Sequence, residues 1–178
     1  KKRCKQFGFP AERVVSFFYI CAPLMFIFRK FKLPKDGNRH LYYWIVRLVD
    51  FLSSLYLRKC DILIGLSGCA LLSAKKAKNR YHALFFCDRG CRHILSQNNI
   101  LSSIPSARQV YKKDITIELE QYGIADYVIL PSLHAKESFI EEGEKIDKLF
   151  VNPYGVNLKM FHPLPLESDG YDIIFVGN

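Results

Sequence analysis

Acids are scarce in the first 113 residues of this 178-residue chain: 5 Asp or Glu stand against 22 Lys or Arg, whereas residues 114–178 hold 12 acids against 4 bases. The net charge of +9 is therefore the sum of a +17 part and a −8 part. A basic half attracts nucleic acid, anionic lipid or an anionic substrate alike. A second absence narrows the choice, because zinc-finger spacing, RNA-recognition signatures and helix-turn-helix patterns are all missing, which leaves nucleic acid without support. Also lacking is an apolar run of the ~20 residues that cross a bilayer; the stretch from Val14 to Phe28 stops at 15. The six cysteines (4, 21, 60, 69, 87 and 91) show neither a secreted disulfide framework nor a paired C-x-x-C, and no signal-peptide pattern stands at residue 1. A reducing cytosol is the expected compartment. Repeats and low-complexity tracts are absent, and with 49% hydrophobic and 24% charged residues the chain has the make-up of one globular unit.

What is present is an alternation of apolar strands with amphipathic helices. "ERVVSF" (12–17) reads as a short strand, and "YICAPLMFIFRKFK" (19–32) as an apolar segment broken by Pro23. That segment is either buried core or a membrane-surface element, with Phe26, Phe28 and Phe31 in lipid beside Arg29, Lys30 and Lys32. "RHLYYWIVRLVDFLSSLYLRK" (39–59) is the clearest helix: Leu41, Trp44, Ile45, Leu48, Leu52, Leu55 and Tyr56 recur at three- and four-residue spacing, which directs them inward and Arg47, Asp50 and Ser54 outward. "CDILIGLSG", a helix over "CALLSAKKAKNR" and "HALFFCDRG" then form a strand, helix, strand crossover. Residues 93–122 read as helix interrupted at Pro105. "ADYVILPS" is a further strand, Ser132 caps "LHAKESFIEEG", Gly143 ends it, and "DKLFVNPYG" is the last strand of the series. Near-continuous apolar strands of this kind predict a doubly wound parallel α/β sheet with helices on both faces.

In such a sheet, ligands sit beyond the carboxyl ends of the strands. That rule selects Ser67-Gly68, Asp88-Arg89-Gly90, Pro131-Ser132 and Asn152-Pro153-Tyr154-Gly155, each of them either a ligand-facing loop or an ordinary turn. His93, three residues past Gly90, either contacts a sugar hydroxyl or caps the helix that follows. Cys87, Cys91 and His93 have no fourth ligand nearby, so no metal site is expected. Glu118 and Glu120 are candidates for a general base or a hydroxyl ligand, and of the two Glu118 is expected to lie on a solvated helix face.

The ordered stretch "EQYGIADYVILPSLHAKESFIEEGEKIDKLFVNPYGVNLKMFHP" resembles the end of the N-terminal domain in glycosyltransferase family 4, the retaining enzymes of the GT-B fold. The resemblance extends upstream through "DRGCRHI" and "DILIGLSGCAL" to "GFPAERVVSF". It implies a Rossmann-like acceptor-side domain over residues 1–155, a linker over 156–170, and at 171–178 ("YDIIFVGN") the first strand of a donor-binding domain. On that expectation the sequence is a piece of a longer enzyme, lacking the family's opening strand, its glycine-rich loop and the carboxylate and cationic pairs of its second domain. By resemblance, His93, Arg89 and Gly90 face the acceptor and the transferred sugar, Ser67 and Gly68 line the same cleft, Glu120 is a further candidate, and Gly177 lies near the donor phosphates. The implied activity is transfer of a sugar from a nucleotide-diphosphate sugar with retention, without a cofactor or metal, to an acceptor that is a lipid, a glycan or a small molecule. The competing expectation is a non-catalytic basic module that binds an anionic membrane surface or an anionic ligand.

Overall fold

The computed structural model of the chain describes residues 10–30 and 35–161. Four parallel strands, β1 (Ile62–Leu66), β2 (Leu84–Asp88), β3 (Tyr127–Leu130) and β4 (Leu149–Val151), lie side by side in chain order. Between them run α3 (Leu71–Tyr81), α4 (Ile94–Ser103), α5 (Lys112–Ile124) and α6 (Leu133–Glu141), preceded by α1 (Phe18–Lys30) and α2 (Lys35–Tyr56). The molecule is thus an α/β protein with an all-parallel, Rossmann-like sheet flanked by helices, as the alternation of strands and helices predicts.

Strand order decides where the helices go. A crossover between parallel strands is almost always right-handed, so strands that succeed one another in a single direction place all their helices on one face. On that face Phe85, Cys87, Val128, Leu130 and Leu149 meet Ala74 of α3, Ile94 of α4, Tyr122 of α5 and Ala135 and Phe139 of α6. Fully burying one such Phe or Leu contributes about 1.5–3 kcal/mol. The opposite face was expected to be covered too, yet among the described residues nothing lies over Ile62, Ile64, Leu66, Leu84, Tyr127 and Phe150, all of them exposed.

Two sequence expectations need correction before the first strand. Residues Ala11–Arg13 form a single 3-10 turn, and the β-branched pair after it pairs with no strand among the described residues. Pro23 does not break the next segment, because it lies inside α1. The backbone bond it removes is the one to the carbonyl of Tyr19, and that residue is 87% exposed, so water can take the carbonyl. Phe31 and Lys32 lie outside the described residues, as do the side chains of Phe28, Arg29 and Lys30.

α2 is turned about its axis relative to its apolar periodicity. Asp50, expected outside, is 1% exposed, and Trp44, expected inside, is 62% exposed. The reason lies in α3. That helix begins after Ala70, whose side chain cannot cap it, so its first N–H groups need an acceptor from elsewhere. Asp50 supplies one: Leu72 N and Ser73 N donate to its carboxylate at 2.8 and 3.1 Å, and Ser73 Oγ at 2.8 Å. A carboxylate at a helix N-terminus also meets the positive end of the helix dipole. Capping and charge together outweigh the burial of Trp44, Leu55 and Tyr56.

Candidate functional site

The loops at the carboxyl ends of the strands are tied together by a buried polar cluster on Glu118, a residue of α5 that is 7% exposed. Its Oε2 lies 2.6 Å from Arg89 Nη1, accepts from Ser67 Oγ at 2.7 Å, and accepts from the Tyr122 hydroxyl at 2.6 Å. Burial, reinforced by the charge of Glu118, pushes the Tyr122 hydroxyl well above its ordinary pKa, so it stays a donor. Arg89 uses its other nitrogens as well: Nε donates to the carbonyl of Arg92 at 3.1 Å and Nη2 to Gln97 Oε1 at 2.6 Å. A buried ion pair whose two partners are tied by further hydrogen bonds is a clasp. It holds the β1 and β2 loops against α5.

Gly68 shows why the β1 loop needs glycine. It sits at φ +75°, and a Cβ there would stand 3.4 Å from Glu118 Oε1. Its N–H donates to Gln121 Oε1 at 2.5 Å, and its carbonyl accepts from Arg47 of α2. Arg47 Nε is buried with no partner among the described residues. Gly90 is fixed by contact instead, since a Cβ there would meet the Tyr154 hydroxyl at 2.7 Å. That hydroxyl donates to the Gly90 carbonyl at 3.2 Å, which joins the loop after β4 to the loop after β2.

His93 lies beneath this rim, 2% exposed, and its ring packs edge-on against Phe139 at 4.7 Å. Nδ1 accepts from Leu95 N at 3.3 Å, the geometry of an N-cap for α4, and the His93 N–H donates to Ser138 Oγ at 2.9 Å. Burial, with Arg89 nearby, brings the ring down to about 4, so at neutral pH it is uncharged. With Nδ1 accepting, the single proton resides on Nε2, for which no acceptor exists among the described residues. His93 is therefore able to donate a hydrogen bond at neutral pH and poorly placed to act as a base.

The two glutamates exchange their expected places. Glu118 is the buried partner of Arg89, while Glu120 pairs with Lys75 on the outer surface, where both side chains are more than two-fifths exposed. Glu120 does not join the cluster. Cys87 is buried in β2 with its thiol pushed up to about 12 by burial, and Cys91 is exposed; among the described residues no three potential metal ligands cluster. Gly177, the second domain at 171–178 and most of the 156–170 linker lie outside the described residues.

Amide groups at helix starts can bind anions, but capping side chains take up some of them in three of the four helices between the strands, while α5 has no side-chain cap among the described residues. Those of α3 go to Asp50, Leu95 N of α4 goes to His93, and Ala135 N of α6 donates to Ser132 Oγ at 3.1 Å. Open space lies instead beside the clasp, in a cavity of about 540 Å³ lined by Arg39 and Tyr42 of α2, Gln97 and Leu101 of α4, the 108–111 segment and Asp114 of α5. Gln97 is common to cavity and clasp. The sequence reading passed over these residues. The available signal was "IPSARQVYKK", basic and aromatic residues in the loop that follows a proline-interrupted helix, where ligand-contacting side chains often sit.

No family model, curated protein or solved structure matches this chain.

Proposed function

We propose that this chain is the acceptor-side part of a retaining glycosyltransferase, which moves a sugar from a nucleotide-diphosphate sugar onto an acceptor. The observation that carries the reading is the convergence of Ser67, Gly68, Arg89, Gly90 and Tyr154 on one rim beyond the strand ends, beside an open cavity. The motifs that resemble family 4 also fall on suitable elements: "ADYVILPS" forms β3 and the cap of α6, "ESFIEEG" closes α6, and "NPYG" leaves β4.

In this reading the clasp of Arg89, Glu118 and Ser67 is positioning machinery that shapes the acceptor wall, and His93, buried beneath the rim, supports that wall by capping α4. The leaving diphosphate would be stabilised by groups of a donor domain and would help take the acceptor proton. That front-face mechanism calls for no metal. Calorimetry provides the test. Residues 1–178 should bind nucleotide-diphosphate sugars negligibly, whereas a longer chain carrying the donor domain should bind them at micromolar to millimolar strength. Tight donor binding by the 178-residue chain would overturn the assignment.

A second reading, peripheral attachment to an anionic membrane on the cytoplasmic side, is favoured by one observation. Phe18, Tyr19, Ile20, Met25 and Phe26 of α1 and Trp44, Phe51, Leu55 and Tyr56 of α2 are exposed, and Phe17, just before α1, packs on Tyr56 of α2, ring centroids 5.6 Å apart. No helix among the described residues is long and apolar enough to cross a membrane. Apolar and aromatic residues beside the cations of a strongly basic half are what a membrane-surface element requires.

A further inference from the structure

We propose that the cavity between Arg39 and Arg108 binds a saccharide phosphate, the two guanidinium groups taking the phosphate and Tyr42 and Tyr111 flanking the sugar. The proposal rests on the acceptor-side reading and names the class of acceptor.

Three observations carry it. First, Asp50, His93 and Ser132 take up leading N–H groups of α3, α4 and α6, whereas α5, which begins at this cavity, has no side-chain cap among the described residues and leaves its first N–H groups open to an anion. Second, the cavity supplies cations with spare capacity. Arg108 is exposed and has no acidic partner among the described residues, and Arg39, which donates to the Gln109 carbonyl, has its guanidinium 5.8 Å from the centre of the Tyr111 ring. Arginine forks match two phosphate oxygens at once. The one acid in the lining, Asp114, has its carboxyl raised by burial and by the neighbouring charge of Glu118, opposed by Arg47 and Arg39. Third, Tyr42 and Tyr111 provide ring faces for a sugar, and Gln97, whose Oε1 accepts from Arg89, keeps its amide nitrogen for a hydroxyl, while Gln109 is engaged with Ser102 and the Leu101 carbonyl. Tyr111 is held in place by His40, its hydroxyl 2.8 Å from Nδ1. A volume of about 540 Å³ falls within the range of small-molecule sites.

The phosphate can belong to a soluble sugar or to a lipid head group, and the measurement separates these sources. The 178-residue chain is titrated by calorimetry with a hexose 1-phosphate, with the same hexose unphosphorylated, and with phosphatidylinositol in phosphatidylcholine vesicles against plain phosphatidylcholine. The expected result is at least about tenfold tighter binding of a phosphorylated form than of the neutral hexose, and about tenfold weakening by Arg39→Gln and by Arg108→Gln. Preference for the soluble or the vesicle form identifies the source. Arg108 is exposed, so its variant should melt like the parent, which separates lost binding from lost fold. Equal affinity for hexose and hexose phosphate, or unchanged affinity in Arg108→Gln, would overturn the proposal. The outcome is distinguishable from failure of the enzyme reading. Phosphate-dependent binding with no sugar transfer by the longer protein would uphold the cavity and sink the enzyme; transfer to a neutral acceptor that Arg108→Gln leaves unchanged would do the reverse.

Discussion

Glu118 and Glu120 are two positions apart, yet the two carboxylates differ in what their removal should do. Glu118→Ala strands the buried Arg89 guanidinium and should cost roughly 3–5 kcal/mol, whereas Glu120→Ala breaks an exposed pair with Lys75 and should cost under about 1 kcal/mol. Urea denaturation of both variants measures the contrast, and similar losses would contradict the clasp. His93 makes a second prediction. Its folded pKa, about 4, lies below the ordinary value of 6.5, so between these values the unfolded chain binds a proton that the folded chain does not. The contribution of His93 is thus complete above pH 6.5 and is lost as the pH falls towards 4. His93→Asn keeps a capping side chain and should flatten that part of the profile of melting temperature against pH. An unchanged profile would show that another group titrates there. Little of this was legible in the sequence, because a buried and an exposed carboxylate differ only in what the fold brings to them. Arg89 was recognisable by its place after a strand; its partner was not.

At the scale of elements, the strands and the four helices between them follow from hydrophobic period and punctuation. Ser132 caps α6 and Gly143 follows it at φ +89°, as "PSLHAKESFIEEG" predicts. α2 was legible as a helix and illegible in orientation. Its apolar residues outnumber what one stripe can bury, so periodicity alone left two faces available, and a capping need 22 residues further along, at Leu72, decided between them. Exchange experiments on side chains test this directly. Asp50→Ala should destabilise by at least about 1–2 kcal/mol, the usual cost of a lost cap, and Trp44→Ala by less than about 0.5 kcal/mol, the usual effect of an exposed substitution. The reverse order would restore the orientation that periodicity suggests. The short stretch at 12–17 was misread for a related reason: β-branched residues favour a strand only where a neighbouring strand exists to pair with it.

For the molecule as a whole, charge and exposed aromatic surface coincide in the first third of the chain. If this region rests on anionic lipid, vesicles containing phosphatidylserine should sediment the protein, and a rise from about 0.05 M to about 0.5 M salt should release it as the Debye length falls below ~5 Å. Replacing Phe26 and Trp44 with serine should weaken sedimentation at low salt without altering the melting temperature, since both are exposed. Binding to neutral vesicles at equal strength would refute an electrostatic contribution. The four strands stand side by side in the order in which the chain supplies them, and that order carries a consequence for synthesis. Each strand leaving the ribosome finds its neighbour already in place, so the sheet can grow from β1 towards β4 without waiting for any later segment to return and insert between strands.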